Sequence, residues 1–157
     1  MATTINLDTS QRVDVVCRKG DTFDLALTLK DTAAAPASIV ADNDTFKMEV
    51  RTTDDDGTPY GGSAGDSDTE IILSTLDDSS GGKYISITDS SGTPLTSTNA
   101  QGASTDGIVR FVVSADNMAL KAAGLYVYDI EMTDHSDSSK VTTLIYGTFK
   151  INEDVSV

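Results

Sequence analysis

Apolar and polar residues alternate with a period of two along much of the chain, the mark of strands that bury one face. In "FDLALTL", Phe23, Leu25, Leu27 and Leu29 share one side, with Asp24, Ala26 and Thr28 on the other. "TFKMEVR" sets Phe46, Met48 and Val50 against Lys47, Glu49 and Arg51, and "YVYDIEM" aligns Tyr126, Tyr128, Ile130 and Met132. "EIILSTL" and "KYISIT" are short apolar runs, "IVRFVV" reads as a core strand, and "LIYGTFKI" as the final one. With the upstream "RVDVVCR", roughly eight strands alternate with turn-rich stretches, which predicts an all-β fold, an antiparallel sandwich in preference to a small barrel. One helix is predicted, in "SADNMALKAA": Ser114 can cap it, Asp116 sits in its first turn and Gly124 stops it. It falls in the crossover before the penultimate strand.

At 157 residues the chain is of ordinary single-domain length, so residues 1–157 are expected to form one sandwich, with Ala2 to Gln11 as an extended N-terminal arm. Two segments, "TTDDDGTPYGGSAGDSDT" and "TDSSGTPLTSTNAQGASTDG", are too polar to pack and longer than a hairpin needs. Their shared "GTP" is turn chemistry, with Pro presetting the backbone angle. A formal net charge of −14 repels a phosphate backbone and an acidic membrane surface, and no nucleic-acid or membrane partner is expected. The start of the chain has neither a basic nor an apolar leader region, and no apolar run approaches membrane-spanning length, which predicts synthesis in the cytoplasm.

Candidate chemistry is sparse. "TDDDG" offers Asp54 and Asp56 before Gly57, but a calcium loop in that register would put Thr52 first and Ser63 twelfth, where a bidentate Glu belongs. A looser calcium site from Asp54, Asp56, Asp66 and Asp68 competes with a solvated acidic loop, and the latter is the simpler reading. The single histidine, His135, lies in the turn "TDHSDSS", and its neighbours Asp134 and Ser136 point away from it on an extended chain, so no triad is expected. Cys17 alternates with Val13 and Val15 and reads as a buried apolar thiol. No phosphate loop or dinucleotide fingerprint is present, and no catalytic residue, metal or cofactor is expected.

The pair Tyr126 and Tyr128 stands out in a chain with five Tyr. In Greek-key sandwiches a Tyr near the start of the penultimate strand turns its hydroxyl back to a backbone group across the corner. Tyr126, just after Gly124, sits where that corner residue belongs, and Tyr128 occupies the position two later where antibody domains carry a cysteine. The pair would then replace a disulfide with aromatic packing, Tyr128 having a packing role that makes no call on its hydroxyl. The other reading is that both are large core residues.

The order "RKGDTFDLALTL", "FKMEVRTT", "GIVRFVVSADNMALKAAGLYVYDIEMTD", "KVTTLIYGTFKINEDVS" resembles a small immunoglobulin-like module of tailed bacteriophage virions. It is similar to the N-terminal domain of phage baseplate upper proteins and to modules in head-fibre and capsid-decoration proteins. The marks are Gly20-Asp21, the run Met48 to Arg51, Gly124 with Tyr126 and Tyr128-Asp129, and Gly147 with Phe149.

The resemblance implies a non-enzymatic virion component that binds major capsid protein, a head fibre or tail components through loops, edge strands and the arm, in symmetric copies. A baseplate upper protein continues into a fibre-forming region, whereas this chain stops at Val157, so the expectation is a head-associated subunit, either capsid decoration or head-fibre attachment. A baseplate or tail adaptor is the alternative within that class, and a calcium-dependent glycan-binding module the alternative outside it.

Overall fold

A computed structural model of the protein describes residues 10–28, 44–51, 69–74, 79–88, 91–92, 108–133, 137 and 139–155. The strands are β1 (Gln11–Arg12), β2 (Val15–Arg18), β3 (Phe23–Thr28), β4 (Thr45–Arg51), β5 (Thr69–Ser74), β6 (Lys83–Thr88), β7 (Ile108–Val113), β8 (Gly124–Thr133) and β9 (Val141–Asn152). They form an all-β sandwich. One sheet runs β5-β4-β8-β9, with β1 and β2 end to end along the outer edge of β9, and the other runs β3-β7-β6.

The alternating pattern explains the packing. Phe46, Met48 and Val50 of β4 and Tyr126, Tyr128 and Ile130 of β8 point inward, against Phe23 of β3, Ile85 of β6 and Val109, Phe111 and Val113 of β7. Phe149 of β9 lies at the centre. Its ring meets Phe23 of the opposite sheet edge-on, with centroids 5.1 Å apart, and Tyr128 of its own sheet in the same way at 6.0 Å. Edge-to-face aromatic contacts of this kind add to the burial energy and fix how the two layers meet.

Several expectations need correction. The sandwich is not wholly antiparallel, because β1 and β2 run parallel to β9. Alternation reads the same in either direction, and the N-terminal segment covers a β9 edge that would otherwise present unpaired backbone groups. The extended arm ends earlier than Gln11, which already pairs with Ile145, while residues 2–9 lie outside the described ones. "RVDVVCR" is two strands broken at Val13 and Asp14. Cys17 is only half-buried: it packs against the core opposite Ile151, but from the outer edge of the sheet.

The helix α1 (Ala115–Ala119) lies between β7 and β8 and is shorter than its sequence pattern. Ser114 caps it by accepting from the Asn117 amide at 3.4 Å, and Met118 drives its one buried face into the core. Gly124 does not stop it; Leu120 is its C-cap and Gly124 opens β8. The helix start is tied to a 3-10 turn at Ser79–Gly81, because the Ser114 amide donates to Gly82 O at 2.7 Å and Asn117 Nδ2 to Gly81 O at 2.9 Å. Gly82 has φ 68°, and a Cβ there would lie 2.6 Å from Ser114 Oγ, so both backbone and space call for glycine.

Candidate functional site

Tyr126 and Tyr128 face the core and each hydroxyl has a backbone acceptor. Tyr126 donates to Ala122 O, four residues back, at 2.7 Å, closing the turn between α1 and β8. Gly124 lies inside this loop, and a Cβ there would meet the Tyr126 ring at an ordinary 3.6 Å, so no steric need for glycine exists. Tyr128 donates to Val13 O at 2.7 Å, across 115 residues of sequence. A packing role alone therefore does not describe Tyr128. Burial disfavours its phenolate and pushes its pKa up to about 12.

That second bond belongs to a small construction that docks the N-terminal strand. Gln11 and Arg12 pair with Ile145 and Tyr146, and Val15 to Arg18 pair with Phe149 to Asn152 in the same register. Between them the Val13 carbonyl turns inward over Gly147 to reach the Tyr128 hydroxyl, while the Val13 amide still donates to Tyr146 O at 2.9 Å. A Cβ on Gly147 would fall well inside van der Waals contact of the Val13 carbonyl, which explains the glycine. Asp14 Oδ1 takes over the missing ladder position by accepting from the Thr148 amide at 3.0 Å. That hydrogen bond holds the Asp14 carboxyl below the usual range, with Arg12 contributing at 3.3 Å.

The outward face of the larger sheet is the most elaborated polar surface among the described residues. Cross-strand register sets Glu49, Asp129, Tyr146 and Arg12 in one row and Arg51, Val127, Thr148 and Asp14 in the next. A third row adds Lys47, Glu131 and Thr143. All of these except Asp14 and Thr143 line a concavity of about 540 Å³. Glu49 is buried beneath ion pairs with Lys47 and Arg51. Asp129 has its pKa raised, first by burial and then by Glu131, with Arg51 and Lys47 opposing. Further along the face, Lys150 stands between Leu125 and Val16, and Arg18 follows on β2. The outward positions of β1, β2, β4, β8 and β9, with Asp14 between β1 and β2, thus hold five cations against four carboxylates, in a chain whose formal net charge is −14. A surface with both signs, a tyrosine and arginines is suited to binding another polar surface.

This face was hidden from sequence reasoning. The alternation puts Glu49 and Asp129 outward, but nothing in one sequence says that β4 pairs with β8 or that Arg12 stands beside Tyr146.

Cys17 Sγ donates to Lys150 O at 3.5 Å, and burial pushes the thiol pKa up to about 11, away from nucleophilic chemistry. Asp54, Asp56, Asp66, Asp68 and His135 lie outside the described residues. Comparison with known protein families finds no match, and comparison with curated proteins finds none either.

Proposed function

We propose that this protein is a non-enzymatic, head-associated structural subunit of a tailed bacteriophage virion, a capsid-decoration or head-fibre attachment protein built on an immunoglobulin-like sandwich. One observation carries the reading. The order β9-β8-β4-β5 facing β3-β7-β6, with the Tyr126 hydroxyl tied back to Ala122 O at the start of the penultimate strand, supports an immunoglobulin-like reading of the sandwich. It adds to the resemblance carried by Gly20-Asp21, Tyr128-Asp129 and Gly147 with Phe149. The partner on this reading is major capsid protein or another virion protein, met by symmetric copies after synthesis in the host cytoplasm.

Mass spectrometry of purified particles from the phage that carries the gene tests this. The expected result is the chain in fixed ratio to the major capsid protein. Particles that lack it contradict the proposal, and a few copies per particle, retained on isolated tails, move it to the baseplate or tail adaptor.

A further inference from the structure

We propose that the outward face of the six-stranded sheet is a self-docking surface that joins two copies of this chain face to face, about a twofold axis running along the strands between β8 and β9. The inference stands on the face alone and holds whether or not the chain belongs to a virion.

The first support is charge. Two copies of a chain at −14 repel each other in most orientations, and association needs a region where that repulsion is absent. The described outward positions of β1, β2, β4, β8 and β9, with their nearly balanced cations and carboxylates, supply one. The second is apolar exposure. Of the six exposed large apolar side chains among the described residues, four stand on this face: Val16 at 65%, Leu125 at 64%, Val141 at 52% and Tyr146 at 40%. Val141 belongs here because it pairs with Thr133 beyond the irregularity at Ile130 and Glu131, while Met132 of the intervening pair packs on the core.

The third support is register, and it selects a second copy over other occupants. About the proposed axis, β9 of one copy lies over β8 of the other, and the β1 edge lies over β4. The row Arg12, Tyr146, Asp129, Glu49 then meets its own reverse. Arg12 comes over the Glu49 end, and the Tyr146 hydroxyl over the Asp129 carboxylate. In the next row Asp14 meets Arg51. The two charge–charge contacts, Arg12 with Glu49 and Asp14 with Arg51, join opposite signs and each occurs twice, as a twofold interface requires, while Lys150 comes over Leu125. Sheet twist turns the two strand sets by about 30° without breaking the match near the axis. A uniformly basic or acidic partner would meet both signs on this face and gain little.

Sedimentation equilibrium of the full chain tests the proposal. The expected result is a concentration-dependent monomer–dimer equilibrium, whose dissociation constant rises at least tenfold in Tyr146→Glu and is unchanged in Ala26→Glu, an exposed position on β3 of the other sheet. If Tyr146→Glu fails to fold by circular dichroism, Val16→Glu on the same face gives the same loss. A chain that stays monomeric to its solubility limit overturns the proposal, as does a dimer that survives the substitutions on this face or is lost equally in Ala26→Glu.

Discussion

Tyr126 and Tyr128 differ in what their hydroxyls hold together. Tyr126 closes a local turn, Tyr128 a contact between β8 and the segment linking β1 to β2, and both acceptors are backbone carbonyls at 2.7 Å. Phenylalanine at either position keeps the ring packing and leaves a carbonyl without its donor, at a cost of roughly 1–3 kcal/mol. Denaturant titration is expected to give losses of this size for Tyr126→Phe and Tyr128→Phe alike, with unchanged slopes. A negligible loss in Tyr128→Phe would show that Val13 is held by other means. The Tyr126 bond was legible because its partner is four residues away and the corner is a local motif. The Tyr128 bond was not, since its acceptor is a valine carbonyl 115 residues distant, and a backbone group leaves no trace in side-chain identity. Gly147 is similar: its glycine answers to Val13, so Gly147→Ala is expected to lift the N-terminal strand and cost about 1–3 kcal/mol, as overpacking does. Gly81→Ala, with open space around it, is the control and should be close to neutral in the same titration.

Among the elements, alternation located β3, β4, β8 and β9 well, because each buries one face and a period of two records that directly. It said nothing about neighbours or direction, and so missed that β1 and β2 lie parallel to β9. The break at Val13 and Asp14 was also hidden, since a carboxylate replacing a ladder carbonyl looks in sequence like any outward polar residue. That replacement carries a pH dependence. The folded state lowers the Asp14 pKa below its ordinary 3.8, so its contribution is complete above that value and is lost as pH falls through the lower folded one. Below about pH 3.8, amide exchange at Val13 and Thr148, corrected for intrinsic rate, is expected to accelerate ahead of exchange in β7 and β8. Asp14→Asn keeps an acceptor without the titrating charge and should flatten that dependence; an unchanged acid profile would refute the role given to Asp14.

For the whole molecule, the period-two pattern repeated along the chain made the all-β sandwich readable, because fold class follows from how each segment buries its surface. Function was less readable. A binding face is assembled from residues far apart in sequence: Arg12, Glu49, Asp129 and Tyr146 become neighbours only through pairing between β1, β4, β8 and β9. On the proposed reading, the large negative charge keeps copies apart in most orientations until a partner is met, with the nearly balanced positions of the larger sheet as the exception. The central claim, a structural subunit of a tailed-phage head, is tested most directly by a particle reconstruction of the phage that carries the gene. The account predicts density for a two-sheet sandwich on the head surface, in symmetric copies, into which β3-β7-β6 and β5-β4-β8-β9 fit without rearrangement. A complete reconstruction with every head and tail density assigned to other chains would contradict it.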